Sequence, residues 1–489
     1  MQLVRVERPT CPLGAWLLDG FAGWRKLTRV RRAGGAEAGI RTLTLVNETR
    51  RLPSIFSTFM KLYLALSLVL AVGISSVPAQ SFEAKPPAEF FAKFQAVKAP
   101  APAGLLLKKG DRLAICGDSI TEQKMYSRAM ETYLTVCVPE LEVTVRQYGW
   151  GGETAPGFLK RITNDCLRFD PTIATTCYGM NDHGYRPYEK SIGDRYRDAQ
   201  TEIVKAFTAG DARVVLGSPG VVGLRKDWDA ASVESKNLNL CELRNIDIDI
   251  AAKNGAAFAD VFWPMLNAGY QGMQKYGADY AIAGKDGVHP GWAGSFVMAY
   301  AFLKAFGLEG AIGTIEVDMG TGKAVASKGH TILGGANGEI RVKSSKYPFC
   351  AAGELDKDNS IRSAMTLVPF NNELNRFKLV ARNGSAGRYK VTWGDATKSY
   401  SAAQLAVGVN LAEDFVKNPF CDAFARVDAA VAAKQEYETR QIKVQFHGPE
   451  AKSDMATVEK FTENFRKPLV RAVREAFVPV SHTIQIVAE

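Results

Sequence analysis

From about residue 110 the chain alternates short apolar runs with longer amphipathic stretches. Runs of four to eight residues with little polar alternation are what strands buried on both faces look like. They fall at 112–116 (RLAIC), 142–147 (EVTVRQ), 172–178 (TIATTCY), 213–218 (RVVLGS) and 256–262 (AAFADVF). Apolar positions recur at helical spacing over 122–136, about 154–168, about 194–209, about 231–254 and 291–306. Five strands alternating with helices predict a three-layer α/β/α unit around a five-stranded parallel sheet, spanning residues 105–310. Ligands of such sheets bind beyond the carboxyl ends of the strands. The segments GDSIT, GWGGET and GMNDH, which follow the first three predicted strands, therefore lie where chemistry belongs.

After about Ile312 the pattern changes to short alternating runs broken by Gly and Asn: TIEVDM, HTILGG, EIRVKS, RFKLVAR and RYKVTWG. These predict a β-rich accessory domain over 311–411, with antiparallel pairing. Helical spacing returns over 412–446 and 453–476, so 412–489 reads as a helical C-terminal region. Residues 80–104, rich in Ala, Pro and Lys, read as a short helix and a Pro-rich lead-in. Periodicity leaves two roles open for the last third: an accessory domain, or an element reaching over the active site with helices packed back on the first unit.

At 489 residues, with 46% hydrophobic and 23% charged positions, the composition is that of a soluble globular chain of two or three units. The net charge of +10 would suggest a nucleic-acid partner, but it is concentrated near the start. Residues 1–59 hold ten Arg/Lys against four Asp/Glu, and Lys61 adds one more. No basic run interleaved with aromatics follows, so no nucleic-acid partner is expected. Met60-Lys61, the apolar run LYLALSLVLAVGI and the small residues up to Ala79 describe a signal peptide over 60–79, with cleavage near Ala79. That predicts a secreted or periplasmic protein without stable membrane insertion after cleavage. Residues 1–59 then read as a non-native or unstructured leader, with Met60 as the true start.

Eight cysteines are present, and removal of Cys11 with the leader leaves seven. No CxxC pair or Cys/His cluster has zinc spacing, and neither a metal nor a cofactor is expected. Cys116 and Cys177 sit in apolar runs as buried thiols, while Cys137–Cys166 and Cys350–Cys421 are conceivable disulfides of an exported protein.

Gly117-Asp118-Ser119 sets a serine where a buried strand turns into a helix. There its N–H and the helix dipole face any developing oxyanion, although such a turn is also an ordinary helix N-cap. Asp286 stands three residues before His289, a spacing at which a carboxylate can fold back, bond the imidazole N–H and fix the tautomer that accepts a serine proton. His183 is a rival base, with Asp182 beside it.

These blocks, in this order, resemble the SGNH/GDSL hydrolase family over roughly residues 110–308. GDSI (117–120) is similar to its nucleophile block, QYGWGGET (147–154) to its second, GMND (179–182) to its third and DGVH (286–289) to its last. The resemblance implies a flavodoxin-like fold and a serine esterase without cofactor. It implies Ser119, Asp286 and His289 as the triad, and the Ser119 N–H, the Gly152 N–H and the Asn181 side chain as the oxyanion hole. Gln147 departs from the Asn common in the family, a change expected to alter local hydrogen bonding rather than mechanism. Pocket-lining candidates are Trp150, Met180, His183 and Trp292, with Tyr178, Tyr185 and Trp263 as further aromatics near strand ends.

The resemblance and the export signal together imply an esterase acting on small acyl esters or acylated saccharides, foremost a carbohydrate deacetylase. The alternatives are a lipase, lysophospholipase or thioesterase for longer acyl chains, and a glycan-binding protein with a vestigial hydrolase site.

Overall fold

The computed structural model describes residues 81–489. The leader, the signal segment with Lys61 and Ala79, and Cys11 lie outside the described residues. Strands β1 (Arg112–Gly117), β2 (Thr144–Gln147), β3 (Ile173–Cys177), β4 (Arg213–Gly217) and β5 (Ala257–Ala259) form one sheet in the order β2-β1-β3-β4-β5. Every neighbouring pair is parallel. The period-2 geometry of β1 sends Leu113 and Ile115 into one core and Ala114 and Cys116 into another. The first core is closed by α2 (Met125–Val136), α6 (Phe262–Tyr276) and α7 (Trp292–Ala305), and the second by α3 (Ala155–Asp165), α4 (Lys190–Ala209) and α5 (Ala230–Asn254). A single turn, α1 (Ser119–Glu122), leaves β1 directly. This is the three-layer fold expected from the apolar runs. Helix α6 lies beyond those runs, because β5 is only three residues long and its apolar continuation turns at once into helix.

The lead-in packs on this unit. Phe91 and Phe94 are fully buried and meet Trp263 edge-on, with ring centroids 5.7 and 6.4 Å away. Each buried ring contributes roughly 1.5–3 kcal/mol of transfer free energy. Trp263, a pocket candidate by sequence, is therefore core beneath the lead-in.

The β-rich part contains two sheets. In the first, β6 (Ala311–Asp318) pairs in parallel with β10 (Arg376–Arg382), flanked by β7 (Lys323–Ala326) and β13 (Val409–Asn410); the expectation of purely antiparallel pairing fails here because a long connection separates β6 from β10. The second is antiparallel, in the order β12-β11-β14-β9-β8, from β8 (His330–Gly334), β9 (Glu339–Ser344), β11 (Arg388–Trp393), β12 (Ala396–Ser401) and β14 (Val480–Ala488). Its central strand is the end of the chain, so the C-terminal region read as helical also completes the β part.

Between these sheets the Trp393 Nε1–H donates to His482 Nδ1 at 3.1 Å. That leaves the His482 Nε2–H to donate to Ser344 Oγ (3.0 Å), whose own hydrogen goes to His330 Nδ1 (2.8 Å), and His330 Nε2–H donates to the Ile312 carbonyl (2.9 Å). Both imidazoles are neutral in this chain of bonds. Burial holds His482 down to about 3 and His330 below the ordinary histidine range. The unfolded chain takes up these protons near pH 6.5, so between that pH and about 3 it binds more protons than the folded chain and stability falls with pH. Melting temperature should drop across this window. His482→Gln, which does not titrate, should flatten the slope; an unchanged slope would remove His482 from the explanation.

The helices α8 (Cys421–Arg440) and α9 (Met455–Ala476), joined through a π-helical turn at Gln441–Gln445, return to the parallel sheet. There β2 is an edge strand, whose unpaired backbone groups need partners. Lys434 Nζ and Arg466 Nη2 both donate to the Val145 carbonyl at 2.9 Å, and Glu438 accepts the Gln147 N–H at 3.1 Å. Arg128 on α2 also pairs with Asp428 on α8. The helical tail therefore packs back on the first unit.

All seven described cysteines are free thiols. Cys137 belongs to one core and Cys166 to the other, so the parallel sheet stands between them and that suggested disulfide is ruled out. Cys350 and Cys421 are neighbours that share Asn418: Cys350 Sγ lies 3.7 Å from its Oδ1 and its N–H donates to Cys421 Sγ at 3.4 Å.

Candidate active site

The loops following β1, β2 and β3 meet at one rim of the sheet, since these strands are neighbours and all parallel. After β1, Asp118 caps the turn by accepting the Ile120 N–H at 2.9 Å, which exposes Ser119 at its first position. The last loop folds over from the far side, where Gly223 N–H donates to the Gly287 carbonyl at 2.9 Å. It brings His289 Nε2 to 2.8 Å from Ser119 Oγ, across 170 residues of sequence. His289 Nδ1 lies 2.6 Å from Asp286 Oδ2, and Asp286 Oδ1 accepts the N–H groups of Val288 (3.0 Å) and His289 (2.9 Å). Burial alone would raise the Asp286 carboxyl, but these donors and the imidazole hold it below the usual carboxylate range. A charged Asp286 fixes the hydrogen on Nδ1 and leaves the Nε2 lone pair facing the serine hydroxyl.

The loop after β2 runs close over α1. A Cβ on Gly149 would sit 2.2 Å from the Glu122 nitrogen, so no other residue fits without moving the turn that carries Ser119. Gly152 adopts φ +73°, a left-handed conformation that favours glycine. Neither its N–H nor that of Ser119 donates to an acceptor among the described residues. Asn181 Nδ2 donates one hydrogen to the Glu153 carbonyl (2.9 Å), and its Oδ1 accepts from Tyr185 Oη (3.3 Å), leaving one amide hydrogen for the site. Gln147 donates to the Thr121 carbonyl (2.6 Å) and accepts from Thr439 (3.1 Å), which ties β2 to the turn that carries Ser119 and to α8.

The rim is acidic underneath. Burial raises the Asp118 carboxyl to about 7, with Asp182 and Glu153 adding to the effect, and raises Asp182 to about 6 despite the N–H donors of Ala155 and Gly179. Burial pulls His183 down to about 4; its Nδ1 bonds the Met180 carbonyl at 2.6 Å and it makes no bond to Ser119. The rival base is thus a neutral buried imidazole.

The pocket candidates divide. Trp150 and Trp292 are half-exposed. Met180 and Tyr178 are core, the latter donating to Glu153 at 3.0 Å, and His183 is likewise fully buried. Tyr185 lies at the rim between His183 and Trp228, tilted against both with ring centroids 4.7 and 5.7 Å away. Sequence reasoning passed over Trp228, and also Glu122 and Glu153, which brace the loop after β2 through the Gly151 N–H and Arg161. Only the carboxylate beside the glycine run at Glu153 was a local signal. Among the described residues no cluster of His, Cys, Asp or Glu has metal-site geometry, and no helix is long and apolar enough to cross a membrane.

Residues 115–295 match the GDSL-like lipase/acylhydrolase family. No curated protein matches the chain in sequence. Among solved structures, a gut microbial diltiazem-metabolizing enzyme aligns at 24% identity and TM-score 0.66, over 80% of this chain and 100% of its own. An acetylxylan esterase variant from Geobacillus stearothermophilus aligns at 21% identity and TM-score 0.35, over 42% of this chain and 98% of its own. An alpha/beta hydrolase from the metagenome of Lake Arreo, Spain, aligns at 22% identity and TM-score 0.34, over 42% and 98%. The first similarity is one of fold, and it extends beyond the parallel-sheet unit.

Proposed function

We propose that this chain, a carboxylic ester hydrolase carrying a GDSL-like lipase/acylhydrolase domain over residues 115–295, cleaves its esters through an acyl-enzyme on Ser119 and releases small acyl groups, foremost acetyl, from carbohydrate. The observation that carries the acyl-enzyme reading is the unbroken line of bonds from Ser119 Oγ through His289 to Asp286. His289 Nε2 takes the hydroxyl proton as Oγ attacks the acyl carbon, and the imidazolium is stabilised by Asp286. The carbonyl oxygen becomes an oxyanion facing the N–H groups of Ser119 and Gly152 and the free hydrogen of Asn181. The proton then passes from His289 to the departing alkoxide, and a water repeats the sequence to free the acid.

The small-acyl reading rests on exposure: the Asp286 side chain is 54% and that of His289 34% accessible, as in an open cleft rather than a long apolar tunnel. The carbohydrate reading rests on the half-exposed aromatic side chains of Tyr185, Trp228 and Trp292 in the loops around the site, a residue type that stacks on sugar rings. Export through residues 60–79 remains part of the proposal, and N-terminal sequencing of the mature protein tests it. Screening the protein against p-nitrophenyl esters of increasing chain length and acetylated xylan tests the substrate: release of acetate should be favoured, and a preference for long chains would support a lipase instead.

Asn181→Ala should lower kcat about a hundred- to thousandfold with little change in KM, because the lost donor serves the oxyanion. An unchanged kcat in a folded variant would remove Asn181 from the oxyanion hole.

A further inference from the structure

The C-terminal π-helical turn reaches the loop that follows β2 by two routes. Lys443 Nζ bonds Glu122 Oε1 at 2.6 Å, and Glu122 Oε2 accepts the Gly151 N–H at 2.5 Å. One turn onward, His447 Nε2 meets both oxygens of Asp165 at 2.9–3.0 Å. Asp165 binds Arg161 at 3.2 Å, and Arg161 clasps both oxygens of Glu153 at 2.6 Å. The Glu153 carbonyl in turn holds Asn181. The two routes end on Gly151 and Glu153, the residues on either side of Gly152. Between them Trp150 is packed by the Lys443 ammonium, 5.3 Å from its ring centroid, and edge-on by His447 at 4.9 Å.

This geometry answers a physical problem. Gly151 and Gly152 are both exposed, and adjacent glycines have the widest choice of backbone angles, so their N–H directions are not fixed by local sterics. A Gly151 N–H taken up by Glu122 is not available to the acyl oxygen. Committing the Gly151 N–H to Glu122 fixes that peptide and leaves the Gly152 N–H, which has no acceptor among the described residues, free for the acyl oxygen. Glu122 can do this only if its carboxylate is held, and Lys443, about 30% exposed, is the cation that holds it. A π-helical turn is a rare local form that frequently marks functional sites, which fits its place here.

We infer that Lys443 is a positioning residue for hydrolysis: through Glu122 it fixes the Gly151 peptide and so orders the Gly152 oxyanion donor. The inference rests on the reading of Gly152 as that donor. It also gives the C-terminal region a part in the chemistry of the first unit, across 321 residues of sequence.

The test uses the full chain with p-nitrophenyl acetate, and counts working sites by the burst of p-nitrophenol. Lys443→Met should lower kcat per titrated site about ten- to hundredfold, as for the loss of a group that orients a catalytic one, with KM little changed. Lys443→Arg should restore most of it. Glu122→Gln should lower kcat similarly, and the double variant Lys443→Met/Glu122→Gln should be no worse than the poorer single one. A purely structural role would reduce the number of titrated sites and leave kcat per site unchanged, and that result overturns the inference. So does an additive double variant. The Asn181→Ala variant in the same assay separates the two ideas: if it is impaired while Lys443→Met is not, the oxyanion hole stands and the Lys443 inference fails; if neither is impaired, Asn181 leaves the hole and the Lys443 inference fails as well.

Discussion

Replacing Ser119 by alanine should lower kcat for p-nitrophenyl acetate by about a millionfold, with the thermal transition nearly unmoved. The size follows from the way a triad works: serine and histidine act as one unit, so removing either abolishes the acyl-enzyme route and leaves only the contribution of the oxyanion donors and binding. His289→Ala should therefore cost about as much, and the double variant no more than either single one. Stability should change little, because the Ser119 side chain is half-exposed and makes its one side-chain bond to His289. His183→Ala serves as control. With its imidazole buried and bonded to the Met180 carbonyl, any effect should come through packing and stability rather than the pH profile of kcat. Retained turnover in Ser119→Ala would sink the nucleophile assignment, and loss confined to His183→Ala would move the base.

What was legible in the sequence was what local periodicity encodes. Strands β1 and β3 are continuous apolar runs because helices cover both faces, and the turns after them sit at the rim because all five strands run the same way. The strand-to-helix turn points to Ser119 and the three-residue spacing pairs Asp286 with His289, whereas Asn181 is legible only through the family resemblance. What was not legible depends on partners hundreds of residues away. Nothing near Lys443 or His447 marks them as facing the loop after β2, and nothing in Trp263 distinguishes a ring under Phe91 from one in a pocket. Strand β14 does carry a signal, since His482, Ile484 and Ile486 alternate inward, but so short an alternation is masked by the helical spacing that precedes it. The polar residues of α8 misled in the same way. Lys434, Gln435 and Glu438 look like a solvated helix face and are instead buried, Lys434 and Glu438 against β2 and Gln435 against α2.

That burial makes Lys434→Met the stability change with the largest expected effect, a loss of about 3–5 kcal/mol at pH 7. Lys434 is 2% exposed in its side chain and bonds Glu438 (2.8 Å), Glu131 (3.2 Å) and the Val145 carbonyl. Removing the ammonium leaves two buried carboxylates, with Arg466 on Glu438 and only the Gln435 amide on Glu131. Burial already pushes the Glu131 carboxyl up, against the pull of Lys434. Without Lys434 it rises further, so the variant's deficit should be largest at neutral pH and shrink as pH falls, vanishing only below the unfolded value near 4.3, where both states are protonated. Adding Glu131→Leu should recover part of the loss by removing the orphaned charge. Urea unfolding at pH 7 and pH 5 measures both effects. A midpoint unchanged by Lys434→Met would mean that α8 does not hold the edge of β2 through these charges.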